Sequence, residues 1–180
     1  MINSYYWKKD LFCCIYQIKK YNKVNLLSEK FDHTYHQIQR AIHFSAFICR
    51  KLVEDHKLTD DIDNYFLPTS IHLPIKEINR IWRIVDDEYY DIDNFQHKKI
   101  KAHDICNWLI HSYIMQLKLD FSNGVLEFWV SSDYTRNQKL YYISLNNWLL
   151  YLRKVRTSYM RHRSEKYDPQ KRDFVILSKR

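Results

Sequence analysis

The hydrophobic pattern in the first third of the chain predicts two helices. Apolar residues recur about one turn apart over residues 5–21, and over residues 29–57 they follow a 3-4-3-4 spacing typical of a packed helix. The side of the second helix opposite this seam carries Arg40, His43 and Arg50 around Phe47. We therefore expect one buried face and one face that is polar, basic and partly aromatic.

A third helix is predicted over residues 96–116. It follows an irregular stretch (59–73), a short helix (75–85) and an acidic loop (86–93). His103, Asn107 and His111 are spaced four residues apart, so they point the same way within an otherwise apolar helix. Buried polar groups without partners cost free energy, so this stripe requires hydrogen-bond partners or a ligand.

The pattern changes after residue 117. Alternating polar and apolar residues over 117–121 and 125–131, with Asn123-Gly124 between them and a β-prone run at 140–145, predict a hairpin or meander. A last helix over 148–159 follows. The predicted fold is mainly α: a helical bundle with a small antiparallel hairpin or meander near residues 117–145 and a C-terminal helix. Residues 1–160 form one domain, and residues 161–180 form a basic tail that we expect to be partly mobile.

The composition of the chain excludes some classes of function and favours others. A single glycine among 180 residues excludes the glycine-rich loops that hold phosphates in nucleotide-binding proteins. The net charge of +8, with lysine and arginine outnumbering acidic residues beyond residue 153, suits an anionic partner such as nucleic acid. The four cysteines lack metal-binding spacing and no apolar run has the length of a membrane span, so we expect reduced thiols in a cytoplasmic protein that does not enter the membrane.

Metal and thiol chemistry fit the polar stripe poorly. His103 and His111 lie about 12 Å apart along one helix, too far to share an ion, and Cys106 points away from His111. We therefore predict no metal and no cofactor. Metal-free RNA cleavage fits better, because arginine holds phosphate and histidine transfers protons near neutral pH.

Two segments carry a family resemblance. Ala-Phe-Ile-Cys-Arg-Lys-Leu-Val-Glu around Arg50 and Cys-Asn-Trp-Leu-Ile-His, ending at His111, resemble segments of the HEPN superfamily. The resemblance implies an all-helical core and an Arg-x4–6-His site formed across a homodimer. It also implies RNA cleavage without metal, in bacterial toxin or phage-defence systems. Cys106 stands where the motif has its arginine, so Arg50 from another helix or another chain must supply the charge.

The predicted site combines residues that bind phosphate, transfer protons and orient the substrate. Arg50, with Arg40, binds phosphate; His111 is the general acid or base; and Asn107 orients the substrate or the histidine. Two residues are candidates for the second proton carrier: His56, at an Arg-x5-His spacing from Arg50, and His103. The predicted substrate contacts are Arg40, His43, His103, Arg153 and Arg156.

Three other interpretations remain open. The polar stripe could be a set of satisfied core groups that contribute only to packing. The chain could be a non-enzymatic module whose basic C-terminal segment binds nucleic acid or an acidic protein, with Tyr151, Tyr159 and Tyr167 available to stack on bases. It could also be a subunit of a larger assembly that uses exposed aromatic residues as its interface.

Overall fold

A five-stranded antiparallel sheet forms the centre of the computed structural model, which describes residues 4–78, 81, 85, 87–120 and 122–180. Helices account for 44% and strands for 34% of the structure. The prediction of a mainly α fold is therefore wrong, and the chain is a mixed α and β protein. The elements in chain order are α1 (Ser4–Tyr21), α2 (Val24–Glu29), α3 (Phe31–Glu54), α4 (Asp60–Asp63), β1 (Phe66–Pro74), β2 (Tyr90–Lys101), α5 (Ala102–Ile110), β3 (Ser112–Asp120), β4 (Gly124–Ser132), β5 (Leu140–Ser144), α6 (Leu145–Thr157), β6 (Arg163–Asp168) and β7 (Asp173–Lys179).

The sheet has the strand order β2-β1-β5-β4-β3. Two antiparallel hairpins, β1–β2 and β3–β4, are joined by β5, which pairs with β1 on one side and β4 on the other. β1 was predicted to be irregular because it contains two prolines. Pro68 is paired with Lys99 of β2, and the stretch of β1 paired with β5 begins only at Thr69, so this proline lies where β1 has a single partner strand.

The helices cover one face of this sheet. α5 and α6 lie directly on it, and α1 and α3 pack over them. α3 is buried along a broad arc, because it contacts α1 on one side and α5 on another. Trp148 of α6 is fully buried between Phe128 of β4 and Tyr151, and its indole N–H donates to Ser45 Oγ of α3 at 3.2 Å. The main core therefore joins the sheet to both helical layers.

The predicted third helix is wrong over most of its length. Of residues 96–116, only Ala102–Ile110 is helical; the residues before it belong to β2, His111 is in a turn, and the residues from Ser112 onward belong to β3. β2 begins at Tyr90, within the stretch predicted as an acidic loop. Of the short helix predicted over residues 75–85, residues 75–78 are not helical, and positions 79–80 and 82–84 lie outside the described residues.

The predicted hairpin and last helix agree better with the structure. β3, β4 and β5 overlap the stretches predicted as strands, and α6 overlaps the helix predicted after them. The last twenty residues, expected as a partly mobile tail, instead form the β6–β7 hairpin. Lys179 joins this hairpin to α4 through an ion pair with Asp63 and a backbone N–H bond to Asp60 Oδ2 at 2.9 Å.

Gly124 is the position where the fold most strictly requires glycine. Its φ is +85°, and a Cβ there would lie 2.4 Å from Asn22 Oδ1. The Asn22 side chain accepts from the Val125 N–H at 2.6 Å and donates to the Val125 carbonyl at 3.0 Å, so it cannot move aside without losing both bonds. The glycine therefore leaves room for Asn22, the residue after α1, to form its hydrogen bonds with Val125 next to the β3–β4 turn.

We expect Gly124→Ala to lower the free energy of unfolding by about 1–3 kcal/mol, because it combines backbone strain with a steric clash. Urea unfolding followed by circular dichroism measures this change. Asn123→Ala, at the neighbouring turn position, is the matched control. An equal loss in the two variants would contradict a special requirement at Gly124.

Within the described part of the chain, no helix combines the length and the apolar character needed to cross a membrane. The four cysteines are free thiols, and three of them are buried.

Candidate functional site

Arg50 and His111 meet on the surface where α3 packs beside the end of α5. Arg50 Nη1 lies 3.3 Å from His111 Nε2, although 61 positions separate the two residues in sequence. A guanidinium can only donate, so Nε2 accepts in this contact and the imidazole proton resides on Nδ1. Both side chains reach solvent, which leaves the pair accessible to a ligand.

Glu54 fixes the orientation of the guanidinium. Arg50 Nε donates to Glu54 Oε1 at 2.7 Å, one helical turn along α3. The hydrogen bond from Arg50 holds the pKa of the Glu54 carboxyl below its usual range, and the charges of Lys51 and His103 add to this effect. One side of the Arg50 guanidinium is thus held by Glu54, while Nη1 faces His111.

The polar stripe of α5 lies beside this pair. Asn107 Nδ2 is 3.5 Å from His103 Nδ1, and the Asn107 carbonyl accepts the backbone N–H of His111 at 3.0 Å, closing the helix. Asn107 Oδ1 is buried and has no hydrogen-bond partner among the described residues. A buried acceptor without a donor is costly in a folded protein, because it forgoes the hydrogen bonds that water would make with it.

A shallow aromatic groove continues the site along α3. It encloses a volume of about 440 Å³ and is lined by Arg40, His43, Phe44, Phe47 and Ile110. The Phe44 and Phe47 rings are nearly parallel, with 8° between their planes and centroids 6.4 Å apart, and each is 44% exposed. Half-exposed rings beside an arginine offer a stacking surface for a flat, anionic ligand.

His43 connects the groove to α5. It forms a hydrogen bond with the Leu109 carbonyl, one of the last carbonyls of that helix, so the imidazole N–H is the donor. Burial lowers the pKa of His43, and the bond to Leu109 only partly offsets the effect. The neutral imidazole is therefore the form that the fold favours.

This lowered pKa predicts a loss of stability in acid. The unfolded chain binds the extra proton more readily than the folded protein, so the free energy of unfolding falls as the pH drops through the ordinary histidine value near 6.5. Burial also lowers the pKa of His56 and of His72. We expect His43→Gln to show a smaller fall in urea midpoint between about pH 8 and about pH 5 than the parent protein. His36→Gln on the same helix is the control, and an unchanged fall in His43→Gln would contradict the assignment.

The structure brings most of the predicted site residues together. Arg50, His111, Asn107 and His103 form one cluster, with Arg40 and His43 in the adjoining groove. Cys106, at the motif position of the missing arginine, is buried in the core, where it contacts Cys49 and Tyr151. Cys106 therefore does not lie beside His111, and Arg50 of α3 supplies the positive charge next to the imidazole.

Three predicted site residues lie elsewhere. His56 follows the end of α3 with a φ of +54° and lines a cavity against the β6–β7 hairpin, with Arg163 and Glu165. Arg153 and Arg156 project from α6, and the Arg156 guanidinium lies 4.5 Å from the centre of the Phe12 ring of α1. His56 is separated from Arg50 because the helix ends between them and the chain turns away.

Glu54 and Phe44 were not named as site residues by sequence reasoning. Each carried a readable signal: Glu54 is four positions after Arg50, the spacing of a helical ion pair, and Phe44 is three positions before Phe47. Neither spacing shows whether other helices or strands cover this face of α3. Sequence alone therefore does not distinguish an ordinary solvated face from a binding site here.

Among the described residues, no group of three or more histidine, cysteine, aspartate or glutamate side chains is arranged to hold a metal ion. Comparisons with protein-family models, with curated proteins and with solved structures found no match for this chain.

Proposed function

We propose that the protein is a metal-independent ribonuclease whose reacting groups are Arg50 and His111. The observation that carries the proposal is the 3.3 Å contact between the guanidinium and the imidazole, made by two different helices at an accessible surface. Arginine presents a fork of donors that matches a phosphate, and histidine can exchange protons near neutral pH. An exposed ordinary ion pair would use a carboxylate as the partner of Arg50, and here Glu54 already fills that role.

The first step uses the pair as it stands. A phosphodiester binds to Arg50 Nη1, which releases the lone pair on His111 Nε2. That nitrogen accepts the proton of the neighbouring 2′-hydroxyl. The 2′-oxygen then bonds to phosphorus while the bond from phosphorus to the 5′-oxygen breaks. Arg50 stabilises the negative charge that develops on the phosphoryl oxygens.

The leaving 5′-oxygen takes its proton from water at this exposed surface. His103 lies about 12 Å from His111 along α5, too far to act on the same phosphate, and it contacts the substrate further along the strand. His56 takes no part in this step, since it lines the cavity next to β6. Asn107 lies between the two histidines and orients them: its Nδ2 is 3.5 Å from His103 Nδ1, and its backbone carbonyl accepts the His111 N–H. The products are a 2′,3′-cyclic phosphate and a 5′-hydroxyl.

We also propose that the protein acts in the cytoplasm as a toxin or in phage defence, and this part of the proposal rests on the HEPN resemblance. The all-helical core that this resemblance implies is not what the chain forms, because β1 and β2 lie between the two matching segments. The proposed pair is also contained within one chain, so the chemistry does not require the homodimer that the resemblance implies.

The direct test is RNA cleavage in the presence of EDTA. We expect single-stranded RNA to be cut, and we expect the new 3′ ends to carry a cyclic phosphate. RNA with a 2′-deoxy substitution at the cut position is the matched control and should remain intact there, because it lacks the attacking oxygen. Cleavage that requires a divalent ion, or that proceeds at 2′-deoxy positions, would contradict this mechanism.

A further inference from the structure

The face of the sheet away from the helices carries an unusual set of side chains near its β2 edge. Alternate residues of a strand point to opposite faces, and Leu67, Thr69 and Ile71 are buried toward the helices. The intervening residues of β1 and their partners in β2 therefore share the outer face: Phe66 opposite Lys101, Pro68 opposite Lys99, Ser70 opposite His97 and His72 opposite Phe95.

Aromatic rings cross this outer face in a continuous row. From the edge inward, His97 contacts Phe95 at 5.0 Å between centroids, Phe95 contacts His72 at 5.4 Å, and His72 stacks on Tyr142 at 3.8 Å. Tyr142 stacks in turn on Trp129 at 4.6 Å. The row thus links β2, β1, β5 and β4 and holds the outer rings in fixed positions.

The aromatic row is buried at its Trp129 end and exposed to solvent at its Phe95 end. Trp129 and Tyr142 are buried in a second apolar cluster that includes Ile78 and Val85, which follow β1 in the chain. Phe95 is 49% exposed, and Phe66, which lies outside the row and six positions from His72 along β1, is 52% exposed. Phe95, supported by His72 and open to solvent, is a preorganised stacking surface rather than part of the core.

The charges on this edge indicate the partner. Lys99 and Lys101 share the outer face with Phe66 and His97, and Lys101 Nζ donates to Asn64 Oδ1 at 3.1 Å. The acidic end of β2 lies toward its start, where the Asp91 carboxylate accepts bonds from Asn94. Lysines beside open rings are complementary to a strand with unpaired bases and a phosphate backbone.

We propose that the β1–β2 platform, defined as Phe66, Phe95, His97, Lys99 and Lys101, binds single-stranded RNA. Bases stack on the phenylalanine and histidine rings, and the two lysines contact phosphates. Duplex RNA is not the partner, because its bases are already stacked on one another and its grooves do not present their faces. This inference rests on the proposed function, since it takes RNA as the substrate, and it adds a second contact surface on the face of the sheet away from the helices that carry Arg50 and His111.

Binding is measured by fluorescence anisotropy with a labelled oligouridine whose 2′-hydroxyls are methylated and therefore cannot attack. We expect Phe95→Ala to weaken binding about 5- to 100-fold, and Phe66→Ala to have an effect in the same range. Lys99→Gln should reduce the slope of log Kd against log salt concentration by about 0.7. Tyr16→Ala removes a ring of similar exposure from α1 and should leave Kd unchanged.

Further measurements separate the platform from the cleavage site. Circular dichroism and the melting temperature establish that Phe95→Ala is folded, and Phe95→Trp should restore affinity because it restores a stacking ring. An unchanged Kd in both phenylalanine variants, or equal affinity for duplex RNA, would overturn the platform. Binding that depends on Phe95 in a protein that cleaves nothing would overturn the ribonuclease and leave the platform standing.

Discussion

Replacing His111 by alanine is expected to slow RNA cleavage about 100- to 10,000-fold, the range associated with loss of a general acid–base group. The imidazole is the group that faces Arg50 Nη1, whereas the Glu54 carboxylate is held by Arg50 Nε. Initial rates on a single-stranded RNA in EDTA give the value. His36→Ala is the matched control, because His36 is exposed on α3 about 21 Å along the helix from Arg50.

Substitutions of Arg50 test the other half of the pair. Arg50→Ala should lower the rate about 100- to 1,000-fold, because the developing charge loses its donor. Arg50→Lys retains the charge but not the fork of donors, so we expect a rate between those of the alanine variant and the parent protein. Retention of cleavage in both Arg50→Ala and His111→Ala would show that the activity resides elsewhere. Equal loss in His36→Ala would point to a folding defect instead.

The second large effect concerns stability. Trp148→Ala is expected to lower the free energy of unfolding by about 3–5 kcal/mol, because it removes a fully buried indole and leaves a cavity. The change also removes the donor to Ser45 Oγ, which itself donates to the Ile42 carbonyl at 2.7 Å. Urea unfolding followed by circular dichroism measures the loss.

Two variants identify the source of that loss. Trp148→Phe keeps most of the ring but lacks the N–H, so we expect an intermediate cost of about 1–3 kcal/mol. Trp7→Ala is the matched control: Trp7 is only half-buried and makes an edge contact with Phe47. A loss in Trp7→Ala as large as that in Trp148→Ala would contradict the view that full burial of the Trp148 indole causes the loss.

The helices that could be predicted from the sequence are those whose buried residues recur at helical spacing. In α3, the seam of Ile38, Ile42, Cys49 and Leu52 was readable because those residues are buried. The strand β2 could not be read in this way. It is an edge strand with mostly exposed residues, so its alternation of apolar and polar positions is lost over His97–Lys99, and its lysines disfavour pairing of the edge with other chains.

The candidate site shows a similar division. His103, Asn107 and His111 could be placed on one face because helical spacing is local information. The approach of Arg50 to His111 could not be derived, because it depends on how α3 packs against α5 after the chain has formed β1 and β2. The exposed platform on the sheet was also invisible, since it exists only through the pairing of β1 with β2.

The separation of Arg50 and His111 along the chain has a consequence during synthesis. A growing chain that ends between residues 50 and 110 contains the arginine but not its partner, and both strands of the β1–β2 hairpin must be made before the partner appears. Even the complete chain gains the pair only when α5 docks onto α3. If the pair cuts RNA, the protein stays harmless to the message from which it is being translated until almost two thirds of its length has been made.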